Sequence, residues 1–110
     1  MRYKLPGKSG LRVSELCLGT MTFGEDWSFG ASKEESTRVF DAFVDAGGNS
    51  IDTANLYTNG TSERFLSEFM GDRRQAFVLA AKYTPSTIAR TIPTAGAITA
   101  RTCTRRSRRV

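Results

Sequence analysis

The chain has 110 residues, of which 39% are hydrophobic and 25% charged, a composition typical of one small globular domain. It has no apolar stretch approaching the roughly 18 to 20 residues that a membrane-spanning helix needs. Its first residues also lack the apolar core of a secretory signal, so we expect a cytoplasmic protein.

The net charge of +5 is unevenly distributed along the chain. Residues 1–83 hold ten Lys and Arg against eleven Asp and Glu, whereas residues 84–110 hold six Arg and no acidic residue. The basic character therefore belongs to residues 84–110 alone, which indicates that they differ in kind from residues 1–83.

The first predicted elements are a hairpin and a buried strand. Strand-like segments at 2–5 and 11–13 flank a cluster of turn-forming residues at 6–10, which predicts a β-hairpin. The apolar run 16–20 is typical of a parallel strand that is buried on both faces. Cys17 in this run predicts a small buried side chain, since the two cysteines show no metal-ligand or disulfide spacing.

Two helices and two more strands are predicted after a loop at 21–31. Ser32 and Glu35 form a capping box, and the helix that it opens ends at the glycine pair 47–48. A strand at 50–53, a helix at 61–70 and a strand at 77–81 follow, and the long connections favour parallel strands with right-handed crossovers. The predicted apolar helix faces consist of Val39, Phe40, Phe43 and Val44, and of Phe65, Leu66, Phe69 and Met70.

Two residues of opposite charge close consecutive predicted strands. Asp52 and Lys82 should meet at one edge, because the carboxyl ends of barrel strands face the same pocket, and Tyr57 is close enough in sequence to join them. Taken singly, these residues have ordinary interpretations as a turn former, a solvent-reaching lysine and a loop aromatic. Together they predict a proton donor for a carbonyl oxygen, since Lys82 would stabilise the phenolate of Tyr57 and Asp52 would hold Lys82 in place.

Five segments of the sequence form a recognisable set of motifs: 8–14 (KSGLRVS), 18–24 (LGTMTFG), 47–57 (GGNSIDTANLY), 60–63 (GTSE) and 79–83 (LAAKY). In their order and spacing the sequence resembles the aldo-keto reductase family over roughly residues 2–84. The resemblance implies the N-terminal part of a (β/α)8 TIM barrel and an NADP(H)-dependent oxidoreductase that interconverts small-molecule aldehydes or ketones and alcohols.

The resemblance also assigns roles to individual residues. Tyr57 would be the general acid, Lys82 the residue that makes this phenol more acidic, and Asp52 the partner of Lys82. Trp27 and Phe29 would either wall the substrate pocket or cover the mouth of the barrel. The residues expected to bind NADPH are Gly19, Thr20, Met21 and Asp52, and no metal is expected.

The chain departs from the family in three ways. Ala81 stands where Thr or Ser usually precedes the catalytic Lys, there is no His to orient the substrate carbonyl, and later strands that hold most of the cofactor are missing. We therefore expect the chain alone to be inactive. With unpaired sheet edges and less than half of a barrel of about 250 residues, it should be marginally stable or aggregation-prone.

The segment 85–110 is predicted to be a basic, disordered tail next to the partial barrel at 1–84. Allowed codons for residues 90–109, read in the adjacent frame, give a string that resembles the family's next loop and helix, which favours a frameshift. The alternative is a nonenzymatic protein whose six Arg bind nucleic acid phosphates in a salt-dependent manner, although no aromatic residues lie between these Arg.

The sequence leaves the oligomeric state, the substrate and the choice between NADPH and NADH open.

Overall fold

The computed structural model describes residues 1–82, in which a short hairpin precedes three parallel strands that alternate with two helices. This is the predicted order of elements, and the α/β fold class is confirmed. The predicted tail, with its frameshift and nucleic-acid interpretations, lies outside the described residues. The elements are β1 (Tyr3–Lys4), β2 (Val13–Ser14), β3 (Cys17–Gly19), α1 (Lys33–Asp45), β4 (Ser50–Asp52), α2 (Thr61–Met70) and β5 (Val78–Ala80).

The parallel sheet has the order β3-β4-β5, with α1 and α2 as the two crossovers. Its register places Gly19 opposite Asp52 and Asp52 opposite Ala80, so the three strands end at the same level. The sheet does not close into a barrel within residues 1–82, and β3 and β5 are its two edge strands. The carboxyl ends of all three strands therefore form one accessible rim.

Helix α1 begins and ends where local signals predict. The hydroxyl of Ser32 accepts a hydrogen bond from the backbone N–H of Glu35 at 3.2 Å, as an N-cap should. After Asp45, Gly47 adopts φ +89°, a left-handed conformation that glycine tolerates and that turns the chain toward β4. Both ends of α1 are thus fixed by residues next to the helix.

The hydrophobic core lies between the sheet and the two helices. Phe40 of α1 is fully buried, and its ring centroid lies 5.4 Å from that of Phe69 and 5.5 Å from that of Phe77. One side chain thereby joins α1, α2 and the start of β5. The buried cluster consists of Phe23, Phe40, Ile51, Leu66, Met70 and Phe77.

Three predictions of burial are wrong. Val39 is 44% exposed rather than part of the buried face of α1, because the buried stripe runs through Ser36 and Phe40. The run 16–20 is not a strand buried on both faces, since Leu16 is 67% exposed, and Cys17 is exposed as well. The reason is that β3 is an edge strand in the described fold and lacks a neighbour on one side. None of the helices within residues 1–82 combines the length and the apolar character needed to cross a bilayer.

Candidate active site

Lys82 occupies the centre of the three residues predicted to be catalytic. Its Nζ donates hydrogen bonds to both carboxylate oxygens of Asp52 at 2.7 Å and lies 3.1 Å from the phenolic oxygen of Tyr57. A further neighbour is the main-chain oxygen of Thr53 at 3.3 Å. The structure thus brings the carboxylate, the ammonium and the phenol together, while their catalytic roles stay predictions.

The strand register explains how Asp52 and Lys82 meet. Asp52 is the last residue of β4, and Lys82 follows β5 by two residues. The backbone N–H of Thr53 donates to the Ala80 carbonyl at 2.8 Å, which prolongs the pairing just beyond the strand ends. The side chains of Asp52 and Lys82 are 39% and 44% exposed, so the ion pair lies on the rim, where a small molecule can reach it.

The surroundings of Lys82 favour its charged form. Partial desolvation lowers its pKa, but the hydrogen bonds and charges of Asp52 and Tyr57 outweigh that effect, so the pKa of Lys82 is raised above its usual value. The ammonium also lies 5.0 Å from the centroid of the Tyr57 ring. Lys82 is therefore positively charged beside the phenol at neutral pH.

Replacing the carboxylate should reverse this balance. Asp52→Asn keeps the shape of the side chain but removes its negative charge, so we expect the pKa of Lys82 to fall. Acetic anhydride acetylates a lysine only in its unprotonated amine form, so the pH dependence of Lys82 acetylation, measured by mass spectrometry, reports its pKa. The tryptic peptide 75–90 contains Lys82 as its single lysine, and the exposed Lys8 provides an internal reference.

An unchanged acetylation profile of Lys82 in Asp52→Asn would contradict this prediction. If Asp52→Asn leaves the acetylation profile of Lys82 unchanged relative to Lys8, the carboxylate does not hold the ammonium in its charged form. The close contact between Asp52 and Lys82 would then have no electrostatic consequence in solution.

Tyr57 opens a turn with unusual backbone geometry. Thr58 and Asn59, which follow it, adopt φ values of 47° and 56°, and a left-handed conformation is uncommon for a β-branched residue such as Thr. Two contacts hold Thr58 in place, since its hydroxyl donates to the Phe23 carbonyl at 2.6 Å and accepts from the backbone N–H of Ser62 at 3.0 Å. The turn that carries the phenol is thus attached to neighbouring segments.

Glycine is required where the loop after β3 passes this turn. Gly24 has φ +115°, and a Cβ at this position would lie 2.8 Å from the Thr58 hydroxyl oxygen. Sequence analysis identified Gly24 only as part of a loop and family-like segment, because the close approach is between residues far apart in sequence.

The residues predicted to bind the cofactor lie at the end of β3. Met21 is 48% exposed, and a Cβ added at Gly19 would meet no atom of residues 1–82 within 4 Å, so this part of the rim has open space in the described fold. Thr20, in contrast, is fully buried and donates to the Asp52 carbonyl from both its backbone N–H (3.1 Å) and its hydroxyl (2.9 Å). A role of Gly19 and Met21 in binding the cofactor stays a prediction, and the Thr20 hydroxyl is already used inside the fold.

The two aromatic residues of the loop contact each other. The ring centroids of Trp27 and Phe29 are 6.1 Å apart, and Phe29 is exposed. Two backbone hydrogen bonds close the loop that carries them: the Gly24 N–H donates to the Ala31 carbonyl at 2.9 Å, and the Ala31 N–H donates to the Thr22 carbonyl at 2.7 Å. A role in a substrate pocket stays a prediction for both.

Comparison with known proteins gives a consistent family assignment. The sequence matches the model of the aldo/keto reductase family over residues 15–109. It is 46% identical over 86 residues to norsolorinic acid reductase from Aspergillus flavus, which covers 73% of this chain and 22% of that protein. It is 47% identical over 88 residues to the NADP(+) aryl-alcohol dehydrogenase from Phanerodontia chrysosporium, covering 74% of this chain and 23% of that protein.

A solved structure shows the same fold. The holo form of the aldo-keto reductase AKR11C1 from Bacillus halodurans matches with a TM-score of 0.68 and 32% identity, over 84% of this chain and 28% of that protein. This chain spans about a fifth of the length of the norsolorinic acid reductase and the NADP(+) aryl-alcohol dehydrogenase that it matches. The family match continues through residue 109, so a domain boundary at residue 84 stays a prediction.

Proposed function

Because the chain belongs to the aldo/keto reductase family, we propose that residues 1–82 carry the proton-transfer groups of an NADP(H)-dependent oxidoreductase acting on small-molecule carbonyl compounds. The observation that supports this most is the position of Lys82, 2.7 Å from the Asp52 carboxylate and 3.1 Å from the Tyr57 phenol. An aromatic aldehyde is the proposed test substrate, since one relative is named as an aryl-alcohol dehydrogenase.

The proposed chemistry is reduction of a carbonyl group. NADPH, when bound, would supply a hydride to the carbonyl carbon. As negative charge develops on the carbonyl oxygen, Tyr57 donates its phenolic proton to that oxygen, which completes the alcohol. The Lys82 ammonium stabilises the phenolate that remains, and Asp52 holds the ammonium in place. Solvent then returns a proton to the phenolate.

Residues at the end of β3 would hold the reacting end of the cofactor. Gly19 and Met21 border open space at the rim, and Asp52 lies opposite Gly19 in the sheet register. Thr20 would contribute by fixing the backbone of Asp52. The rest of the dinucleotide would be bound by parts of the barrel beyond residues 1–82, and a cytoplasmic location stays a prediction from the sequence.

A chimera tests this function directly. Residues 1–82 would replace the matching segment of the NADP(+) aryl-alcohol dehydrogenase, with which this chain shares 47% identity. We expect the chimera to oxidise NADPH in the presence of an aromatic aldehyde, and Lys82→Met to reduce kcat by about 10² to 10⁴. The 110-residue chain alone should show no turnover.

Two results would contradict these expectations in different ways. A chimera that folds like the parent enzyme, as judged by circular dichroism, but has no activity would reject the proposed function. Turnover by the chain alone would instead reject the prediction that it is catalytically incomplete.

A further inference from the structure

Ser62 joins the ends of β3 and β4 beneath the three candidate catalytic residues. It is fully buried near the start of α2, and its Oγ lies 2.8 Å from the Thr20 carbonyl and 3.0 Å from the Thr20 hydroxyl. It also lies 3.3 Å from the Thr53 hydroxyl. Because a serine hydroxyl carries one hydrogen, we assign this hydrogen to the closer Thr20 carbonyl, and the Thr53 hydroxyl then donates to Ser62.

Both threonines contact the residues of the ion pair. The hydroxyl and the backbone N–H of Thr20 donate to the Asp52 carbonyl, and the Thr53 carbonyl accepts from the Lys82 ammonium. Thr20, Thr53 and Ser62 are all fully buried, so water cannot replace a hydrogen bond that is lost among them. Ser62 is therefore one hydrogen bond away from the groups that fix Asp52 and Lys82.

The backbone of Ser62 reaches the third residue. Its N–H donates to the Thr58 hydroxyl at 3.0 Å, and Thr58 directly follows Tyr57. Thr58 has the left-handed φ of 47° described above, so this contact supports a conformation that the residue does not favour on its own.

We propose that Ser62 is a positioning residue, which fixes the three chain segments that carry Asp52, Tyr57 and Lys82 without touching the reacting atoms. The catalytic role of those three residues rests on the proposed function. The positioning itself rests on the contacts of Ser62 and can be measured without cofactor or substrate.

A matched control is available in α1. Ser36 is also fully buried, but its hydroxyl has no hydrogen-bond partner among the residues that the structure describes. Ser36→Ala and Ser62→Ala each remove one buried hydroxyl, and only Ser62→Ala removes contacts to Thr20 and Thr53. A difference between the two variants therefore reports the hydrogen bonds of Ser62 rather than the loss of a buried polar atom.

The test is the acetylation profile of Lys82 in the 110-residue chain. In Ser62→Ala we expect the contacts of Lys82 to Asp52 and to the Thr53 carbonyl to loosen, which lowers the pKa of Lys82 and makes it acetylate faster at a fixed alkaline pH. The shift should be smaller than in Asp52→Asn, and Ser36→Ala should match the wild type. A folded Ser62→Ala chain with a wild-type Lys82 profile would overturn the proposal.

If Ser62→Ala does not fold, the Thr53→Val variant tests the positioning role of Ser62 instead. Valine has nearly the shape of threonine, so this variant removes the hydroxyl that faces Ser62 and keeps the main-chain carbonyl that faces Lys82. Faster acetylation of Lys82 would support the proposal, and an unchanged profile would overturn it. An inactive chimera combined with a shifted Lys82 profile would reject the reductase function while leaving the positioning role of Ser62 intact.

Discussion

Phe40→Ala should destabilise the described fold by about 3 to 5 kcal/mol, the usual cost of removing a buried aromatic ring. Phe40 is fully buried, and its ring contacts those of Phe69 and Phe77, so truncation leaves a cavity between α1, α2 and the sheet. Small domains have a total stability of only about 5 to 15 kcal/mol, and this partial barrel is expected at or below the low end of that range, so the substitution should remove most of its stability. Urea unfolding followed by circular dichroism measures this loss.

Val39→Ala is the matched control for this prediction. Val39 precedes Phe40 in the same helix and is 44% exposed, so its truncation should cost less than about 1 kcal/mol. If Val39→Ala lowers the urea midpoint as much as Phe40→Ala does, the assignment of the buried stripe of α1 is wrong.

The order of elements could be predicted because the relevant signals are local. Ser32 and the glycines at 47–48 delimit α1 through hydrogen bonds and backbone angles that involve only nearby residues. Burial was predicted less well, because it depends on partners. Val39 lies beside the buried stripe, and Cys17 is exposed because β3 is an edge strand in the described fold.

The meeting of Asp52 and Lys82 could also be predicted, since residues at the carboxyl ends of neighbouring parallel strands must share one edge of the sheet. Sequence analysis missed the contribution of Ser62. A Ser in a Thr-Ser-Glu segment before an apolar run indicates a helix start, and this local signal does not reveal contacts to Thr20 and Thr53. Its place in the family-like segment 60–63 was the one indication of a wider role.

Tyr57→Phe should reduce kcat of the chimera by about 10² to 10⁴, the usual contribution of a general acid. The change keeps the aromatic ring and its position over Lys82 but removes the phenolic oxygen 3.1 Å from the ammonium. Because this oxygen is needed when the carbonyl accepts its proton, kcat should fall while the KM for NADPH changes little. Steady-state oxidation of NADPH with an aromatic aldehyde measures both quantities.

Tyr3→Phe removes a phenolic oxygen far from the rim, where it donates to the Gly47 carbonyl, and should leave kcat at the parental value. In Tyr57→Phe the carboxylate of Asp52 still holds Lys82 with two hydrogen bonds, so the ion pair persists and the loss of turnover reflects the missing proton donor. If Tyr57→Phe kept the parental kcat, a group other than this phenol would have to protonate the carbonyl oxygen.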